Sequence, residues 1–159
     1  MIMQITQPKP NLYEIKTKEA TIHLDDAIKI NDVILSGPGE YEVADVMATG
    51  QSSGIFIFES EDLTVCFLDH LKEPPSDDQL EKINDTDILL IPVGKDTLSV
   101  SAAVKTISQI EPKIAIPVFC HELEELAKEG GWPKKEESTL KVAKKNLISE
   151  NTQLVIIKW

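Results

Sequence analysis

The chain has 159 residues, a net charge of −11 and 42% hydrophobic content. That is enough apolar material for one globular domain, residues 1–159, with its own core. So acidic a chain repels phosphate backbones, which argues against a nucleic-acid partner, and no apolar run nears the ~20 residues that span a membrane. The opening MIMQITQPKP has no basic flank before an apolar stretch, so no secretory signal is expected and cytoplasm is the expected location.

The first half reads as strands. Leu12 to Ile15, Thr21 to Leu24, Ala27 to Ile30 and Val33 to Ser36 are short and rich in β-formers, separated by turn residues such as Asn31-Asp32. Val43 to Thr49, Gly54 to Glu59 and Leu63 to Leu68 follow, the last two forming a hairpin with Glu61-Asp62 at its tip. Such close spacing predicts antiparallel pairing, because parallel neighbours need a long crossover.

The second half changes character. Ser76 predicts an N-cap for a helix through Ile83, with Asp77 and Asp78 in its first turn. DILLIPV, from Asp87 to Val93, suits a strand buried on both faces. Ser99 or Ser101 caps a helix through Ile110, whose Ala103, Val104, Ile107 and Ile110 recur at helical spacing, and Glu111-Pro112 stops it. Lys113 to Val118 is a second buried strand, completing a β-α-β unit with parallel strands and a right-handed crossover. Glu122 to Glu129 reads as a helix ended by Gly130-Gly131. A Pro- and Lys-rich loop leads to two final strands, LKVA and QLVIIKW.

The two cysteines, Cys66 and Cys120, sit in or at the end of apolar runs and read as buried free thiols, too far apart in sequence for a zinc knuckle. Lys134-Lys135 and Lys144-Lys145 read as solvated faces. Gly37-Pro38-Gly39 reads as a tight turn entering a strand at Tyr41, since no Gly-Lys-Ser/Thr follows to make a phosphate loop. Glu40 and Glu42, two apart on that strand, have nothing to mark them as an acid/base pair.

Four stretches carry a resemblance: SGPGEYEV (36–43), LDHLKEPPSDDQLEKINDTDILLIPVGK (68–95), AVKTISQIEPKIAIPV (103–118) and the tail TLKVAKKNLISENTQLVIIKW. In this order they resemble the metallo-β-lactamase superfamily, in its lactonase-like and Zn-dependent hydrolase branch. The resemblance implies an α/β (α+β) fold: a truncated αββα sandwich of two mixed β-sheets with flanking helices. It also implies a chemistry in which two zinc ions, held by several His and Asp side chains, generate a hydroxide and clamp a substrate oxygen.

The ligands that chemistry needs are largely missing. No His-x-His-x-Asp-His occurs, and the chain has three histidines in all. His23-x-Asp25 fits the strand end before that loop better than the motif. Where the family has Leu-Gly-Asp-Leu, this chain has Leu68-Asp69-His70-Leu71. Where the family has Ile-Pro-Met-His, it has Ile116-Pro117-Val118-Phe119, and a Phe ring cannot bind zinc. If the strand continues, alternation puts His121 on the same side as Phe119.

The resulting expectation is a non-catalytic member of the fold, a pseudo-hydrolase with no cofactor and a binding or assembly role. Loss of the metal-loop segment is expected to uncover apolar sheet surface, and so to bring a homodimer or another protein as partner. Two alternatives stand beside it. One is a metal-dependent hydrolase with a rearranged minimal site at His70, His121 and Asp69 or Cys120, since zinc accepts N, O and S donors. The other is a small-ligand binding protein using the vestigial cleft.

Overall fold

A computed structural model describes residues 2–147 and 150–159. The chain opens with a meander of antiparallel neighbours: β1 (Met3–Lys9), β2 (Leu12–Lys16), β3 (Thr21–Leu24), β4 (Ile28–Ile30) and β5 (Val33–Ile34). A late strand, β13 (Thr139–Val142), pairs antiparallel with β1 and completes sheet A in the order β13-β1-β2-β3-β4-β5. Side chains alternate along these strands. Met3, Ile5, Tyr13, Ile15, Ile22, Leu24, Ile28 and Ile30 are buried, and the polar Gln4, Thr6, Glu14, Lys16, His23 and Lys29 occupy the positions that face the other way.

Sheet B is larger. It comprises β6 (Gly39–Val43), β7 (Val46–Gly50), β8 (Ile55–Ser60), β9 (Leu63–Leu68), β10 (Ile88–Pro92), β11 (Ile114–Val118), β12 (Lys134–Glu137) and β14 (Gln153–Ile157), in the order β12-β14-β11-β10-β9-β8-β7-β6. The β6 to β9 end is antiparallel. From β9 onward the neighbours β10, β11, β14 and β12 all run parallel, so their carboxyl ends share one rim.

The helices lie outside sheet B, as crossovers between parallel strands require. In α1 (Asp77–Ile83), Ser76 and Gln79 form a full capping box: the Gln79 amide donates to Ser76 Oγ at 3.3 Å and the Ser76 amide to Gln79 Oε1 at 2.8 Å. In α2 (Val100–Ile110) the cap is Ser99, whose Oγ accepts from the Ala102 amide at 3.2 Å. Glu111 closes α2 in the left-handed region at φ 53. The third helix is α3 (Leu123–Gly130), closed by Gly131 at φ 71.

Two apolar layers result. One lies between the sheets and includes Ile5, Ile15, Phe58, Phe67, Leu90 and Ile116. The other lies between sheet B and the helices and includes Cys66, Leu68, Leu89, Ile91, Ile107 and Leu126. Among the described residues no helix packs on the outer face of sheet A. On β1 to β4 that face carries polar side chains, as an antiparallel sheet with one face in water does, while the edge strand β5 exposes Val33 and Ile34.

Several element boundaries differ from the sequence reading. The predicted strand Val43 to Thr49 is two strands, because Ala44, at φ 53, turns the chain between β6 and β7. The predicted Pro- and Lys-rich loop contains β12, and β1 was not expected. Lys144 is no bare solvated cation: its Nζ lies 2.8 Å from Oδ1 of the buried Asp87. Cys66 is fully buried as expected, whereas Cys120 is only half-buried. The Glu61-Asp62 hairpin stands as predicted, with both residues at positive φ (55 and 64).

Candidate functional site

The shared rim of the parallel strands is where ligands gather in open α/β sheets, and the candidate residues sit on it. Asp69 and His70 follow β9. Phe119, Cys120 and His121 follow β11. Lys158 and Trp159 follow β14. The sequence-derived set thus reaches one end of the molecule, but not one coordination sphere.

Asp69 is fixed through its backbone. Its amide donates to the Gly54 carbonyl at 2.9 Å. Gly54 has φ +85, and a Cβ there would stand 2.8 Å from the Asp69 carbonyl oxygen, so only glycine lets the two loops meet. The Asp69 side chain lies 3.3 Å from His70 Nε2 through Oδ1. The approach permits charge attraction, yet its angle is not that of a hydrogen bond, and Oδ1 is a buried oxygen without a hydrogen-bond partner. Burial pushes the Asp69 carboxyl above the usual carboxylate range, with the neighbouring His70 pulling the other way.

His70 and Phe119 both stand in the left-handed region, at φ 52 and 53, which is uncommon for bulky side chains and marks the two strand ends as over-determined by their surroundings. Their rings stack, with centroids 5.9 Å apart and planes 12° apart. Phe119 also meets Tyr13 edge-on at 5.7 Å and Phe67 at 6.4 Å, distances typical of favourable aromatic pairs. The four rings join sheet A, sheet B and the two rim loops.

The turn at Phe119 corrects the expected placement of His121. β11 ends at Val118 and the chain departs from the strand path, so alternation no longer puts His121 beside Phe119. His121 is exposed and lines a cleft with Cys120. His23 lies on the outer face of sheet A, 3.5 Å from Glu14, and Asp25 Oδ1 accepts from the Ala27 amide. Glu40 and Glu42 are exposed on the edge strand β6. The Gly37 turn is held by the Tyr41 hydroxyl, which donates to the Gly37 carbonyl at 2.8 Å.

These donors do not fit a zinc ion. Among the described residues no three His, Cys, Asp or Glu side chains come together to hold a metal, whereas zinc sites use three or four such ligands. Asp69 and His70 supply two, and the third side of the group is a phenyl ring. The orphaned Asp69 Oδ1 is the feature of this rim group that invites a cation.

Sequence reading overlooked Tyr13, Phe67 and Trp159. Tyr13 and Phe67 show inward periodicity, but nothing in their spacing tells that they meet Phe119. With Phe119, Cys120 and His121, Tyr13 and Trp159 line a cleft of about 490 Å³ at the rim. Burial pushes the Tyr13 hydroxyl up to about 12, against the opposing pull of the Phe119 backbone.

A family model described as the beta-lactamase superfamily domain matches residues 8–119. A Thermotoga maritima protein assigned to the Zn-dependent hydrolases of the metallo-β-lactamase superfamily superposes with a TM-score of 0.83 at 20% identity, over 99% of this chain and 100% of that one. A metallo hydrolase of the archaeon Ignicoccus hospitalis superposes with a TM-score of 0.62 at 8% identity, covering 99% and 96% of the two chains. A Parabacteroides distasonis protein assigned to the metal-dependent hydrolases gives 0.63 at 14% identity, covering 98% and 92%. At these identities the likeness is one of fold. No curated protein matches the sequence.

Proposed function

This chain belongs to the metallo-β-lactamase superfamily, and we propose that within it the chain is a pseudo-hydrolase: the fold is kept, the dinuclear chemistry is gone, and the role is one of binding or assembly. The observation that carries this reading is the ring stack of His70 on Phe119. Phe119 holds the position where the resemblance puts a histidine ligand, and its ring fills the space between the rim loops. A hydroxide held by two cations needs a full set of imidazoles and carboxylates, and the chain as a whole has three histidines.

The test is turnover. The protein, supplied in turn with zinc, manganese and ferrous iron, is assayed on lactone, nitrophenyl ester and phosphodiester substrates. No chelator-sensitive rate above buffer is expected. A rate abolished by chelator and by His70→Ala would favour the second reading, a hydrolase with a minimal rearranged site, for which the buried Oδ1 of Asp69 beside His70 is the supporting observation.

An assembly role draws its support from Val33 and Ile34, exposed on the edge strand β5. An unpaired strand edge with apolar side chains offers itself to another chain. A monomeric mass by light scattering at micromolar concentration would count against a homodimer. No described helix is long and apolar enough to cross a membrane. Two free cysteines suit a reducing, cytoplasmic setting.

A further inference from the structure

The rim cleft has a chemistry of its own. At about 490 Å³ it lies within the range of small-molecule sites. Its floor is apolar, with Tyr13 and Phe119 meeting edge to face. At its mouth stands Trp159, 74% exposed. The other large exposed apolar side chains, Ile2, Val33, Ile34 and Met47, all lie away from the cleft. An indole left in water at the mouth of a cavity is a ready stacking platform.

The polar lining is balanced. Lys158 is taken by Glu136 at 2.8 Å, and Lys134 and Glu124 add one charge of each sign. The rest of the polar lining is the His121 imidazole, the Cys120 thiol, the Tyr13 hydroxyl, which is engaged with the Phe119 backbone, and the side-chain amides of Gln7 and Asn11. Neither amide side chain has a hydrogen-bond partner among the described residues. An amide presents a donor beside an acceptor, the arrangement that reads the edge of a heterocyclic base.

We infer that this cleft binds a small, uncharged, planar heteroaromatic molecule of the nucleobase or nucleoside type, stacked on Trp159 with its edge met by the Gln7 and Asn11 amides. A neutral ligand also suits a chain of net charge −11, which would oppose a phosphate. The assignment names a ligand class for the binding role proposed above and rests on that reading.

The experiment titrates adenosine, guanosine, cytidine and uridine into the full chain, followed by amide NMR shifts and tryptophan fluorescence. Adenosine 5′-monophosphate and benzyl alcohol serve as the charged and edgeless comparisons. At least one nucleoside is expected to bind, with shifts centred on Tyr13, Phe119 and Trp159, and more tightly than either comparison. Stacking of one base predicts a loss of about five-fold or more in affinity for Trp159→Ala. Gln7→Ala is expected to bring the nucleoside down towards benzyl alcohol; both positions are on the surface, so the variants keep the fold. No nucleoside binding at millimolar concentration, or affinities unmoved by both variants, would overturn the site while leaving the loss of metal chemistry intact. New product signals during the titration would instead overturn the binding-only reading.

Discussion

The imidazole of His70 lies flat against the ring of Phe119, with centroids 5.9 Å apart and planes 12° from parallel. One residue follows β9 and the other follows β11, so the stack bridges two rim loops. It ties the rim to both sheets through Tyr13 and Phe67.

Removing the ring should be felt throughout the sandwich. Phe119→Ala deletes contacts with three rings and leaves a void at the sheet junction. A fully buried Phe costs about 3–5 kcal/mol when cut to Ala; for this half-buried one the expectation is about 2–3 kcal/mol. Urea denaturation with an unchanged m-value checks it. A loss below the error of the fit would mean that the rings merely touch.

Gly54 is expected to tolerate no side chain. Its φ of +85 and the 2.8 Å approach of a built Cβ to the Asp69 carbonyl both oppose alanine. Gly54→Ala should cost about 2–3 kcal/mol by the strain of that backbone and the shift it forces. Thermal denaturation reads it, and a neutral substitution would show that the two loops are free to part.

Asp69 gives a pH signature. Its folded-state pKa is raised by burial, so between the unfolded value and the higher folded value the native state holds more protons than the unfolded one, and its stability falls as pH rises through that window. Asp69→Asn removes this contribution. The variant should match the parent below the unfolded pKa and gain on it towards neutral pH, as seen by denaturant midpoints at pH 3 and pH 7. A variant that loses ground at pH 7 would mean the carboxylate is engaged in an interaction that supports its charge.

The two thiols should differ. Burial pushes the Cys66 thiol up to about 12 and leaves it inaccessible, while half-buried Cys120 is raised as well but reaches the cleft. The thiolate is the reactive form. In native protein a disulfide-exchange reagent should therefore modify Cys120 slowly and Cys66 only after denaturation. Two fast thiols under native conditions would contradict the packing of β9 against the helices.

Where one short pattern decides an element, the sequence already shows it. Ser76 with Gln79 marks α1, DILLIPV marks a strand covered on both faces, and the spacing of Ala103, Ile107 and Ile110 marks the buried side of α2. What stays hidden is made by partners distant in the chain. β12 is KKEE, a sequence with no strand preference, and it is a strand because it pairs with β14. β1 contains Gln and Pro, and gains its place between β2 and β13. The site follows the same division. The absence of the histidine motif is plain from the residues, but the turn at Phe119 that carries His121 away is a backbone event at a single φ angle.

Zinc binding tests the central claim most directly, by equilibrium dialysis of the parent chain beside Phe119→His. The variant supplies an imidazole next to Asp69 and His70, completing three donors of the kind zinc accepts. It is expected to bind one zinc and to melt higher with it; at a hundred-fold excess over Kd the linkage amounts to about 2.7 kcal/mol. The parent is expected to retain none and to show no shift. One or two equivalents of zinc held by the parent chain, and lost on His70→Ala, would contradict the account.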